Sequence, residues 1–168
     1  MIKKRSKIFD VKFGKKVKII EPVNIYNCII EENSFIGPFV EIQKNSKIGK
    51  NCKVQSHSFI CEKVEIGNNC FIGHGVMFVN DKFSKGAPSG KNNIVPTNIG
   101  NNVSIGSNST ILPIKICSNV VIGAGSVVTK NILKPGFYVG NPAKFLKKSV
   151  KSVNFKKFLY YILCNRYF

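Results

Sequence analysis

A parallel β-solenoid built from triangular coils is the fold class that the sequence predicts, on three observations. Aliphatic or aromatic residues recur at every sixth position: Ile30, Ile36, Ile42, Ile48, Val54, Ile60, Ile66, Ile72 and Phe78. The next residue is repeatedly glycine, at Gly37, Gly49, Gly67 and Gly73. Asparagines crowd the positions between, at Asn45, Asn51, Asn68, Asn69, Asn101, Asn102 and Asn108. Self-similarity at a fixed short period marks a repeat architecture.

The period has a direct geometric meaning. Six residues make one short strand and a corner, and three such units close a coil of about 18 residues. Successive coils stack at the strand spacing of about 4.8 Å. The marked aliphatic points inward and stacks on its equivalent one coil away. Gly and Asn tolerate a left-handed φ, so both are expected to turn the corners. A second run follows at Ile99, Ile105, Ile111, Ile116, Ile122 and Val128, with glycine at Gly100, Gly106 and Gly123. Its one irregular step, Ile111 to Ile116, is short by a single residue. A period of six does not match the 3.6 of an amphipathic helix, and no helical segments of crossover length intervene.

Composition sets the class. With 168 residues, 43% hydrophobic and 20% charged, the chain reads as one globular domain. No apolar run reaches the length of about 18 residues that a spanning helix needs. The basic stretch Met1 to Asp10 lacks a continuous apolar core and a small-residue cleavage site, so no signal peptide is read and a cytoplasmic location is expected. The net charge of +18 favours anionic partners. Lipid, CoA and nucleotide-sugars qualify; nucleic acid is not expected, because no zinc-finger spacing or RNP-like strand appears. The bland alternative is a lysine-rich surface without a specific partner. The six cysteines form no C-x-x-C pair and are expected as small buried free thiols.

The solenoid domain is assigned to residues 1–146, with a polar, Gly- and Pro-rich loop over 79–98 leaving the coil. Long loops in compact domains are commonly functional. Residues 147–168 form a basic tail whose Phe155, Phe158, Leu159 and Ile162 have helical spacing. It reads as a helix packed on the coils or, alternatively, as a peripheral membrane contact.

The loop opens with Asn80-Asp81, and Glu62 precedes Asn80 by 18 residues, one full coil. Glu62, Asn80 and Asp81 should therefore share one outer face. Carboxylates beside an amide suit the binding of an amine; a solvated face with a turn-forming Asn-Asp is the plainer alternative. His74 lies two residues past an inward position, so it points outward at a corner, on a different face from Asn80. It is either a general base or a surface residue. His57 is the only other histidine, too few for a three-histidine zinc site, so no metal is expected.

Over about residues 17–146 the pattern resembles the hexapeptide-repeat acyltransferase superfamily. The resemblance implies a left-handed coil, a homotrimer with sites between adjacent solenoids, and acetyl-CoA as acyl donor. FIGHGVMFVNDKF is similar to a segment of the nucleotide-linked amino-sugar N-acetyltransferases. On that likeness Asn80 and Asp81 match the acceptor-binding pair, while His74 stands where those enzymes often have proline. Sugar O-acetyltransferases carry a catalytic histidine near the positions of Lys82 and Phe83, which is absent here. VVIGAGSVVTK and GFYVGNPAKFLKK resemble the CoA-binding end. This nominates Ser107, Ala124, Gly125, Lys130, Asn141, Pro142 and Lys144, with Ser107 placed under Ala124 by the short coil. The activity implied is N-acetylation of a dTDP- or UDP-linked amino sugar, a 3-amino sugar for surface polysaccharide. The alternatives are sugar O-acetylation and a non-catalytic binding solenoid.

Overall fold

A computed structural model describes residues 7–82, 86 and 94–147. The tail assigned to 147–168 lies outside the described residues except for Lys147. Three sheets, of seven, six and eight strands, wrap a narrow core. Each sheet joins every third strand of the chain, except at the end of the third sheet, and all pairs are parallel except the last. The first sheet runs from Lys7–Phe9 through Met77–Phe78 to Val127–Val128, and the second from Lys12–Phe13 to Lys115–Ile116. The third starts at Lys18–Ile19 and ends with Gly136–Val139 and the antiparallel Lys144–Lys147.

The marked residues are the core. Ile30, Ile36, Ile42, Ile48, Ile60, Ile72 and Phe78 are fully buried. The stacking register is the one expected, Ile42 on Ile60 and Ile48 on Ile66. The short coil also appears, pairing Ile99 with Ile116 and Ile105 with Ile122. The solenoid starts earlier than the unbroken period indicates. Ile25 and Ile30 are separated by a five-residue step, like Ile111 and Ile116, and Ile8 still stacks on Ile25. That step hides the first coil from a strict six-residue count.

Two corner expectations need correction. Asn45, Asn51, Asn69, Asn102 and Asn108 do take positive φ, but Asn68 and Asn101 do not. Those two accept hydrogen bonds from the adjacent coil instead: Lys50 N donates to Asn68 Oδ1 at 2.9 Å and Asn68 N to Asn101 Oδ1 at 2.7 Å. The glycines after the inward residues do not have positive φ either. They permit close coil contact: a Cβ on Gly67 would lie 2.7 Å from the Gly100 carbonyl carbon. The loop also ends earlier than 98, because Thr97–Ile99 is a strand paired with Val64–Ile66.

Small hydroxyls and thiols complete the corners. Ser34, Ser46 and Ser58 donate to the carbonyls of Gly49, Cys61 and Gly73 at 2.7 to 2.8 Å. Cys52 and Cys70 do the same to Gly67 and Gly100 at 3.1 and 3.2 Å. A buried carbonyl without a donor is costly, so a small XH group at this position stabilises the turn. Cys28, Cys52, Cys61, Cys70 and Cys117 are free, and the first four are buried. Burial pushes the Cys28 thiol up to about 11 and the Cys61 thiol up to about 12, from an ordinary 9.0. This contributes stability present below pH 9 and lost as pH rises through those values. Cys28, Cys52, Cys61 and Cys70 are expected to resist a disulfide reagent at pH 8 until denaturant is added, with sites mapped by mass spectrometry. Modification of native Cys61 at the rate of a free thiol would contradict this packing.

Candidate active site

The register sorts the candidate residues onto two corners of the triangle. At the corner between the third and first sheets, the turn Gly73-His74-Gly75 follows strand Phe71–Ile72. His74 is exposed but held from both neighbouring coils. Its Nδ1 is 2.7 Å from Ser56 Oγ, one coil below. Its backbone N donates to Ser107 Oγ at 3.1 Å, and its carbonyl accepts from Asn108 N at 2.8 Å.

The column continues upward. Gly125 N donates to the Ser107 carbonyl at 2.8 Å, and a Cβ on Gly106 would meet the Ala124 backbone N, so the 17-residue register puts Ala124 above Ser107. Ile122 pairs with Tyr138, but the last coil turns more tightly: Gly140 O accepts from Val127 N at 3.0 Å and Gly140 N donates to Ser126 Oγ at 3.1 Å, so Gly140 lies over Ser126, just past Ala124 and Gly125. The Asn141-Pro142-Ala143 turn caps the first sheet here, with Ala143 N bonded to the Val127 carbonyl at 2.8 Å. Gly125 turns at φ +67, and nothing lies within 4 Å of where its Cβ would stand. Lys144 begins the antiparallel strand beside this turn and is exposed. One corner column therefore holds His74, Ser107, Ala124 and Gly125, and the turn Asn141-Pro142 with Lys144 lies beside its top, over Ser126 and Val127. His74 lies two coils, about 10 Å, below Ala124.

The next corner carries the other group. Phe59 pairs with Met77, so Asn80 stands one coil above Glu62, as the 18-residue spacing requires. Asn80 and Asp81 are half-buried where the loop leaves. Phe78 pairs with Ile111 and Ile111 with Val128, which puts exposed Lys130 two coils above Asn80. Lys130 thus stands apart from the other residues nominated with it. The bonds of Glu62 also differ from a side-by-side contact with the Asn80-Asp81 pair. Its carboxylate accepts from Asn45 Nδ2 at 3.2 Å and pairs with Lys44 at 3.6 Å, both one coil below. Glu41 and Glu62 lie near Tyr26, whose hydroxyl is raised first by burial and then by those carboxylates.

Sequence reasoning missed Ser56, although the 18-residue rule that links Glu62 to Asn80 equally links Ser56 to His74. It also missed the stack of His57 on Phe39, with centroids 4.8 Å apart and planes 13° apart. Among the described residues no group of three His, Cys, Asp or Glu side chains is placed to hold a metal ion.

Two family models match the chain. The bacterial transferase hexapeptide repeat covers residues 27–62, and the hexapeptide repeat of succinyl-transferase covers residues 96–130. The two matches place hexapeptide repeats of transferase type in both halves of the chain. No curated protein matches it by sequence. Three solved structures show the range of its likeness. AntD, an N-acyltransferase from Bacillus cereus in complex with dTDP and coenzyme A, is 20% identical with a TM-score of 0.66, covering 92% of this chain and 91% of that one. A maltose O-acetyltransferase from Clostridium difficile 630 is 28% identical with a TM-score of 0.53, covering 85% of this chain and 71% of that one. Perosamine N-acetyltransferase from Caulobacter crescentus, in complex with CoA and GDP-perosamine, is 18% identical with a TM-score of 0.58. That match covers 79% of this chain and 54% of that one.

Proposed function

We propose that this acyltransferase moves an acetyl group from acetyl-CoA to the amino group of a nucleotide-linked amino sugar, in the cytoplasm. The observation that carries the reading is the single corner joining His74 to the small-residue column Ser107, Ala124 and Gly125, with the Asn141-Pro142 turn beside its top. A column of small residues lets a pantetheine arm approach backbone amides. Lys144 would meet the CoA phosphates as a point charge. The amine nitrogen attacks the thioester carbonyl carbon, a C–N bond forms, and the C–S bond breaks. The amine proton passes to His74 Nε2, and the CoA thiolate leaves and takes up a proton. For Nε2 to accept, Nδ1–H donates to Ser56 Oγ, an arrangement that the 2.7 Å contact permits.

AntD and the perosamine enzyme, by their descriptions, act on nitrogen and bind a nucleotide or nucleotide-sugar, which supports the amine acceptor. The 28% identity to a maltose O-acetyltransferase favours a second reading, a hydroxyl acceptor. Thiol release from acetyl-CoA against a panel of dTDP-, UDP- and GDP-linked amino sugars and their hydroxyl counterparts separates the two. Turnover confined to the hydroxyl compounds would replace the first reading by the second.

Asn80 and Asp81 are assigned to the acceptor. They lie at the other end of the strand that follows His74, at a different corner, so a neighbouring solenoid must bring donor and acceptor together. A homotrimer does this, with sites between adjacent chains. Equilibrium sedimentation at micromolar concentration should give three times the chain mass; a monomer there would remove the composite site.

Asp81→Ala should lower turnover of the sugar by about ten- to a hundredfold, the loss of one charge-assisted hydrogen bond of about 1.5–3 kcal/mol. Acetyl-CoA affinity, read by titration calorimetry, should hardly change. A collapse of cofactor affinity with sugar affinity intact would reverse the assignment of the two corners.

A further inference from the structure

The first coil closes the solenoid with an unusual face. Ile8, Phe13 and Ile19 are its inward residues, stacked on one side against Ile25, Ile30 and Ile36. Among the described residues nothing stacks on the other side, and Ile8 and Phe13 remain 42% and 44% exposed. Phe9 and Ile20 point outward from the same coil at 57% and 49%. Four large apolar side chains therefore share one layer about 5 Å thick at the end of the molecule. Burying such side chains is worth enough that leaving them in water is the exception.

Lysines ring this apolar centre. Lys7, Lys12, Lys15, Lys16 and Lys18 belong to the same coil and are all exposed. None of them makes an ion pair among the described residues, whereas Lys44, Lys47 and Lys50 of later coils pair with Glu62, Glu31 and Glu32. The acids nearby are Asp10, which accepts from Asn27 Nδ2 at 2.8 Å, Glu21 at the following corner, and Glu31 and Glu32 on the next coil, which pair away from this end with Lys47 and Lys50.

We infer that this end docks on a membrane surface rich in anionic lipid. The charge is complementary to lipid phosphates, and each lysine near such a surface adds to binding. Phe9, Phe13, Ile8 and Ile20 enter the boundary between headgroups and acyl chains, as the apolar face of an interfacial segment does. The open backbone edge of the first coil meets headgroups, which can hydrogen-bond to it. A second copy set end to end would bring five unpaired lysines against five. Nucleic acid would answer the charge but leave the aliphatic side chains in water.

The test uses the full chain and sedimentation with vesicles of phosphatidylcholine alone or with about one-third phosphatidylglycerol. Binding is expected to the anionic vesicles only and to weaken with salt. Lys12→Gln, Lys15→Gln and Lys16→Gln together should weaken it about a hundredfold. Phe9→Ser with Ile20→Ser should weaken it about tenfold or more at unchanged charge. Melting temperatures of both variants, expected to match the parent, exclude misfolding. The inference is overturned by absent vesicle binding, by binding that neither variant alters, by preference for duplex DNA over vesicles, or by end-to-end association without lipid. The tail beyond Lys147 is intact in every variant, so unaltered binding would place the contact there.

Discussion

Replacing His74 by alanine is expected to lower turnover at saturating substrate by about a hundred- to ten-thousandfold, the range that a positioned general base supplies. Acetyl-CoA affinity should stay close to that of the parent, because the cofactor is assigned to the coils above. The expectation rests on placement. An exposed surface histidine has no need of a fixed ring, yet His74 is held at Nδ1 by Ser56 and at its backbone by Ser107 and Asn108. Ser56→Ala should lower turnover less, and it should change the pH profile more than the affinity for either substrate, since Ser56 acts only through the imidazole. A His74→Ala protein with unchanged rate and unchanged pH profile would return His74 to the surface. For a hydroxyl acceptor the loss should lie at the upper end of the range, because a hydroxyl needs deprotonation more than an amine does.

The six-residue period carried most of the fold, because each inward side chain is fixed by two neighbours of its own kind at a constant separation. Ile60 between Ile42 and Phe78 shows how little freedom is left. The unbroken count begins only at Ile30 for a local reason: the five-residue step from Ile25 to Ile30 breaks it, while the strand pairing absorbs that step at a corner. The glycines were legible as necessary but not in their role. Both a positive φ and a close backbone approach select Gly, and only the Cβ clash at positions such as Gly67 and Gly106 tells them apart.

The site was legible column by column. The short-coil register set Ser107 under Ala124, as the bond from Gly125 N to the Ser107 carbonyl shows. What it could not give was the direction in which a side chain spends its hydrogen bonds. Glu62 bonds downward to Asn45 and Lys44, which stand at the corner of the preceding coil. Lys130 was grouped with the CoA candidates on the resemblance of VVIGAGSVVTK, and in space the strand Val127–Val128 separates it from Ala124 by a full side of the triangle.

Phe78→Ala should produce the largest loss of stability of any single change in the core, about 3–5 kcal/mol. Phe78 is the largest of the fully buried side chains, and it fills the coil from which the loop departs. Its inward neighbours in the first sheet are Ile60 below and Ile111 above, both fully buried. Removing the ring leaves a void that the short, hydrogen-bonded strands cannot close, since every coil is tied to the next at a fixed spacing. In a solenoid each coil contacts only its neighbours, so a defect in the middle uncouples the two halves. Scanning calorimetry should show a melting point lowered by about 10–15 °C and a broader transition. The internal comparison is Ile8→Ala, in the same inward column at the exposed end of the stack, where 42% of the residue is already in water. That change should cost about 1 kcal/mol or less, the transfer of a partly exposed side chain. Equal losses at the two positions would mean that the coils do not behave as a stack of nearest neighbours.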